Sequence, residues 1–410
     1  MKWILWVMAL AIMASLTSMA LAADKATGQD WPQWRGPQRN GLSTETDWST
    51  RWPAEGPRQL WKINVGKGYS AVSVVGNRLY TAGAAGNTET IYCLDADSGT
   101  EIWKHAYPCK GQKNYPGTRA TPTVADGKVY TFSPQGQLHC LDAAGGKVIW
   151  VKDLVQELEY KESVPNWGLA SSPLVEGKLV IVNVGLAGVA VDKEKGHVVW
   201  KTALGKCGYA SPVAYTQGGT RCLAMFSSKT LVGVNAADGT RLWSIPWATE
   251  YDVNAADPLV VGDQVFACSG YKKRSALLKM DGREPSIVWD NKQLGSMFST
   301  PVLIDGHLYG CNGNASNAGD PIQCVEWSSG TVKWSQKGYG MSSMIAAGGK
   351  LIIMGERGEL GVAEASPEGF KELARAKVLD GVCWTMPVLS HGRIYCRNSN
   401  GDLVCLDVRK

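Results

Sequence analysis

One eleven-residue pattern recurs along the chain and limits what it can fold into. The pattern is a small residue, any residue, an Asp-like residue, three positions, Gly, three positions, Trp. It runs from Cys93 and Asp95 through Gly99 to Trp103, from Cys140 and Asp142 through Gly146 to Trp150, and from Ala190 and Asp192 through Gly196 to Trp200. Further copies run from Gly233 and Asn235 through Gly239 to Trp243, and from Cys324 and Glu326 through Gly330 to Trp334. A degenerate copy, one residue longer, ends at Trp289. Successive Trp are 47, 50, 43, 46 and 45 residues apart. A period of this length marks a repeat architecture and overrides the two or three domains that 410 residues would otherwise suggest.

Upstream of each copy lie small residues, often Ser/Thr-Pro, then an apolar stretch, Gly and an apolar-aromatic segment. Thr121-Pro122 to Tyr130, Thr300-Pro301 to Tyr309 and Met386-Pro387 to Tyr395 are examples. Each unit thus reads as four short strands joined by turn residues, without helical periodicity. Pro at the start of a strand removes no ladder hydrogen bond. Eight units begin near Tyr69, Arg119, Leu169, Tyr209, Asn254, Phe298, Met341 and Trp384. The seventh has lost its Pro and Trp, and the eighth stops at Cys405-Leu406-Asp407 without its last strand. An unmatched strand, Arg58-Gln59-Leu60-Trp61-Lys62-Ile63, precedes the first unit. The expected fold is all-β: an eight-bladed β-propeller of four-stranded blades over residues 58–410, closed by pairing 58–64 beside 403–407.

The chain has 17 Trp but only 5 Phe, and the repeat explains much of the excess. Trp103, Trp150, Trp200, Trp243, Trp289 and Trp334 are expected to dock one blade on the next, and Trp61 to complete the ring. The 11 Cys are read partly the same way. Cys93, Cys140, Cys324 and Cys405 fill the small-residue slot, and Cys268 and Cys311 share a second slot, so all six are expected in the core. Cys109, Cys207, Cys222, Cys383 and Cys396 are left without an assigned pairing. The repeated Asp95, Asp142, Asp192 and Asp407 are expected to accept backbone N–H bonds in turns. His307, His391 and His197 read as turn residues, while His105 and His139 stand apart, so no His-based metal site or Ser-His-Asp triad is expected.

Residues 1–22 read as a secretory signal: Lys2, an apolar run from Trp3 to Leu16, and a small-residue cleavage site at Ala20-Leu21-Ala22. Residues 23–57 then form an N-terminal extension. A soluble periplasmic or extracellular monomer is expected. The net charge of +5 is too small over this length to argue for nucleic acid or a membrane surface, and stable membrane insertion is not expected.

Aligning the units exposes a second regularity. Two residues before the Pro slot stand Ser70, Ala120, Ser171, Ala210, Ala256, Ser299, Ser342 and Thr385, all small. One residue earlier stand Tyr69, Arg119, Ala170, Tyr209, Ala255, Phe298, Met341 and Trp384, most of them large. The small set suits innermost strands converging on the axis; alternation puts the large set on another face, at the strand start. Two readings follow for it: wedges between blades, or an aromatic funnel with one Arg, suited to a planar or extended ligand. Asn166 and Trp167 fall on the same rim. Asp252, Asn254 and Asp257 form the candidate oxygen-ligand group for calcium.

The small-x-Asp-x-x-x-Gly-x-x-x-Trp repeat, over residues 58–410, resembles the tryptophan-docking motif of pyrroloquinoline-quinone (PQQ)-like propellers. The opening Trp31-Pro32-Gln33-Trp34-Arg35-Gly36-Pro37 resembles the start of secreted members. That family implies two branches: quinoprotein dehydrogenases, and non-catalytic propellers such as a subunit of the outer-membrane β-barrel assembly machinery. Fold alone does not choose between them. The dehydrogenase branch implies PQQ with Arg119 on its carboxylates, Trp384 stacked on it, and calcium at Asp252 or Asn254. Against that branch, the sequence has no adjacent Cys pair, no Cys-x-x-Cys-His and no long inserted loops. The reading carried forward is a binding or scaffold module for a protein or an extracytoplasmic polymer, with no cofactor required. The alternative is a PQQ-dependent alcohol or sugar oxidoreductase.

Overall fold

The computed structural model describes residues 28–410 apart from 112–113, 272–273, 281–283 and 315–318. Eight antiparallel sheets follow one another around a ring. Blade 1 contains Ser73–Val75, Arg78–Ala85, Thr88–Asp95 and Glu101–Pro108, ordered from the axis outward, and blades 2 to 7 repeat that order. Blade 8 is built from both ends of the chain. Arg58–Asn64 pairs antiparallel with Asp402–Asp407, Trp61 opposite Cys405, outside Arg393–Arg397 and Val388–Ser390. The signal expected at residues 1–22 lies outside the described residues. No helix among them is long and apolar enough to cross a membrane.

Middle strands such as Leu179–Val182 and Val189–Asp192 are buried along almost their whole length, because each blade is covered by a neighbour on both faces. Their apolar runs therefore do not alternate. Outer strands carry a register shift at the same place in every blade, beside the docking residue. The shift is a β-bulge, which twists the strand and re-aims a side chain. It turns Trp inward and leaves the preceding residue in solvent, as with Ile102, Ile149, Val199 and Val288.

All docking indoles but one bond across to the next blade. The Nε1–H of Trp61, Trp103, Trp150 and Trp200 donates to the carbonyls of Ala96, Ala143, Lys193 and Ala236, at 3.0 to 3.1 Å. Trp289 and Trp334 reach Trp327 O and Ser366 O at 2.8 Å. The ring lies on the repeat Gly, and a Cβ on Gly146 would sit 2.6 Å from Trp103. That Gly also has φ of +72°, so two separate reasons exclude a side chain there. Trp243 differs, donating to Tyr215 Oη of its own blade at 2.8 Å. The next blade has Lys279 where the others have the Asp-like residue, so the acceptor turn is not repeated there. Asp95 and Asp192 do accept turn N–H bonds, from Ser98 N and Lys195 N at 2.8 Å.

The extension is not peripheral. Residues 28–49 reach the inner strands of seven blades. Trp31 exchanges backbone bonds with Val74 in blade 1, and Pro32 O accepts from Val124 in blade 2. Arg39 donates to Pro173 O in blade 3, Trp34 Nε1 to Asp257 Oδ2 in blade 5, and Arg35 to Thr300 O and Pro301 O in blade 6. Leu42–Ser43 adds a parallel fifth strand inside Ser343–Ala347 of blade 7, and Gln29 O accepts from Ser390 Oγ in blade 8. Touching so many inner strands at once places this segment on the axis as a plug. Chain residue 58 therefore separates blade from extension, but does not separate core from appendage.

Burial also accounts for the thiols. All eleven Cys are buried, including the five left without a slot. Burial pushes Cys140, Cys268 and Cys405 up to about 12, which suppresses the reactive thiolate. His105 and His139, which stand apart in sequence, meet across blades 1 and 2 with ring centroids 5.5 Å apart.

Candidate functional site

The plug converts an axial channel into a blind funnel. Beneath its floor, residues one position before the Pro slot join blade to blade. Ala71 N donates to Thr121 Oγ1, Thr121 N to Ser172 Oγ, Ser172 N to Ser211 Oγ, Ser211 N to Asp257 Oδ1, and Asp257 N to Thr300 Oγ1, all at 2.7 to 3.0 Å. This belt explains why small hydroxyl-bearing residues stand there. Each one satisfies a buried backbone donor of the preceding blade. Asp257 is the ionisable member. Burial pushes its carboxyl up, against the opposing fields of Arg39 and Arg35. The same burial lowers both guanidinium groups to about 10.

Above the belt, Trp34 forms the floor of a cavity of about 260 Å³. Small-molecule pockets run upward from ~300 Å³, so one or two rings fill it. From the sequence series, Tyr69, Arg119, Ala170, Tyr209, Ala255, Phe298 and Trp384 line it, as does Trp167. Trp384 is the hub of one wall, with ring centroids 5.8 Å from Tyr69, 5.7 Å from Tyr115 and 5.2 Å from Phe298. Trp167 lies 6.1 Å from Tyr209 on another. The two readings of the large residues thus divide by blade. Met341 is a wedge, buried to 1% exposure against Cys311 Sγ, and Asn166 points to solvent outside the lining. Trp34, Tyr115, Tyr271, Val253 and Met297 also line the cavity and lie outside the repeat alignment.

Arg119 is the cation of this lining. Its Nη1 donates to Gly117 O at 2.8 Å and its Nη2 to Tyr115 O at 2.9 Å, with the guanidinium 5.9 Å from the Tyr69 ring centre. Among the described residues no carboxylate forms an ion pair with it. Glu89 is the acid whose field reaches it. Burial raises the Glu89 carboxyl to about 7, and Tyr107 Oη donates to it at 2.7 Å.

The residues present do not fit a PQQ–calcium centre. Asn254 is fully buried, with its amide oxygen taken by Ser269 Oγ at 2.8 Å and its nitrogen by the carbonyls of Ser227, Ser228 and Trp247. It holds a loop and has no lone pair aimed at a cation. Of the other two candidates for calcium, Asp252 lies two residues away in a turn, and Asp257 accepts from Trp34 and Ser211. Among the described residues no group of three or more His, Cys, Asp or Glu is placed to hold a metal.

A family profile described as outer membrane protein assembly factor BamB matches residues 48–131 and 87–336. The chain belongs to this BamB-type, PQQ-like propeller family. Within it, the outer membrane protein assembly factor BamB of Yersinia pestis is 22% identical over 326 residues, covering 75% of this chain and 78% of that protein. The crystal structure of BamB from Moraxella catarrhalis superposes with a TM-score of 0.63 at 16% identity, over 86% of this chain and 100% of that one. A quinohemoprotein alcohol dehydrogenase from Comamonas testosteroni gives a TM-score of 0.68 at 12% identity, over 92% and 80%. The family therefore has relatives on both functional branches, and those two structures share the fold alone with this chain.

Proposed function

We propose that this propeller is a non-catalytic binding module outside the cytoplasm, taking a protein or extracytoplasmic polymer partner at the funnel and its rim. The observation that carries the reading is the use of three acids at the funnel. Asp257 accepts from Trp34 and Ser211, Glu89 from Tyr107, and Glu356 from Trp384 at 3.0 Å. Each of these three carboxylates orients an aromatic or a backbone amide, which commits it to structure and not to general-base work. What faces the ligand is aromatic surface, which supplies large, rigid contact area. Membership of a family described by an outer-membrane assembly factor supports a protein partner.

The test has two arms. Wild type captured from envelope extract carries a partner that an Arg119→Ala/Trp384→Ala double variant with unchanged circular dichroism releases; equal capture refutes the funnel as the site. Titration with PQQ plus calcium leaves the absorbance unchanged, and dye reduction with alcohols or sugars is absent. A quinone complex that reduces dye overturns the binding-module reading in favour of an oxidoreductase.

A further inference from the structure

The chemistry of the funnel wall narrows its occupant. Three phenols on the lining, those of Tyr69, Tyr115 and Tyr271, have no hydrogen-bond partner for their hydroxyls among the described residues, and neither has the Trp167 indole N–H. Arg119 keeps Nε–H and one N–H on each Nη after serving its two carbonyls. The wall therefore offers flat apolar faces interleaved with hydroxyls and donors that no described residue engages, around a cation without an ion-pair partner among them. A purely aromatic ligand leaves the phenols and indole without partners, at a desolvation cost for each. A cationic ligand is repelled by Arg119. A pyranose matches all three features: its C–H face stacks on an indole, its hydroxyls meet the phenols, and an acidic substituent meets the guanidinium.

The plug adds a geometric restriction. The plug bonds to inner strands of seven blades, with Trp34 held to Asp257 at 2.6 Å and Trp31, Arg35 and Arg39 buried, so a chain cannot thread through the axis. Only an end of a polymer, or a short oligomer, can enter. Resting on the reading of the funnel as the binding site, we propose that it captures the terminal residue of an acidic oligosaccharide, a uronate-type pyranose stacked on Trp384 or Trp167 with its carboxylate on Arg119.

Trp34, Trp167 and Trp384 all line the cavity, so quenching of intrinsic fluorescence reports occupancy directly. The probes are digalacturonate, the neutral disaccharide galactobiose, and 2-naphthoate as an aromatic acid without hydroxyls. Digalacturonate is expected to bind at least 10-fold more tightly than either of the others. Arg119→Gln loses at least 10-fold for digalacturonate and leaves galactobiose unchanged, while Glu89→Gln, which removes the competing acid, binds at least as tightly as wild type. Arg119→Lys guards against misfolding, since it retains charge and a measurable part of the preference. Equal binding of the neutral sugar refutes the role of Arg119, tighter binding of 2-naphthoate refutes the sugar, and binding of no probe refutes the proposal outright. Partner capture, measured separately, decides the binding-module reading whichever way the sugar titrations fall.

Discussion

Trp31→Ala tests whether the plug belongs to the core. Trp31 is fully buried, in one core cluster with Val74, Ile345 and Val388 from three different blades. Its indole N–H has no acceptor, so the substitution removes no hydrogen bond, and its backbone bonds to Val74 survive. The loss is therefore almost entirely apolar burial plus a cavity. A buried aromatic side chain hides ~150–250 Å², worth about 4–6 kcal/mol at ~25 cal/mol per Å². Partial collapse brings the expected cost to about 3–5 kcal/mol, the range for large aromatics replaced by Ala. At an unfolding entropy of ~2 cal/mol/K per residue, that lowers Tm by about 4–6 °C. Guanidinium denaturation followed by far-UV circular dichroism, with calorimetry alongside, measures it. A cost below ~1 kcal/mol would mean that the segment is an appendage and the axis is held by blade packing alone.

Other consequences concern the repeat, pH and the corrected calcium residue. Gly146→Ala forces a Cβ into a left-handed φ and against Trp103; about 1–3 kcal/mol of destabilisation is expected by denaturant titration, and a neutral result refutes the docking geometry. Glu89 is protonated up to about 7 in the fold but only up to its ordinary 4.5 when unfolded. Between those values the folded state holds the extra proton, so stability falls as pH rises and is lower by ~3 kcal/mol above both. Glu89→Gln keeps the Tyr107 acceptor, and its stability advantage over wild type should therefore grow from pH 5 to pH 8; a constant difference rejects the burial argument. Asn254→Asp replaces three N–H donations by a charge, and should destabilise by at least ~2 kcal/mol with no rescue by calcium.

The ring itself could be read from residues because its logic is local. A bulged strand, a Gly with positive φ and a Trp recur at fixed spacing, and the strand at 58–64 has a partner only in the incomplete eighth unit. The funnel was legible in part for the same reason: Tyr69, Arg119, Tyr209, Phe298 and Trp384 occupy one repeat position, and their blades bring them together. Trp34 and Tyr115 could not be found that way, since one lies in the plug and the other in a loop, outside any aligned position. Met341 shows the limit of the alignment, because position in the repeat does not fix which way a flexible side chain turns. The best missed signal was the density of Trp, Arg and Gly in residues 31–41, excessive for a tether and fitting for chain that must fill a narrow axis.

Closure of the ring also has a temporal meaning. The strand at Arg58–Asn64 is made long before its partner Asp402–Asp407, more than 300 residues later in the chain. The plug waits too, since its contacts extend to Ser390 and His391. Contacts of such long sequence separation form late, after local hairpins have been completed. Until then, the nascent chain carries a row of blades with two raw edges and an open axis, the state most exposed to pairing with a neighbour. A ring closed by two strands so far apart in the chain thus defers its final check: until Asp402–Asp407 pairs with Arg58–Asn64, the eighth blade keeps an open edge.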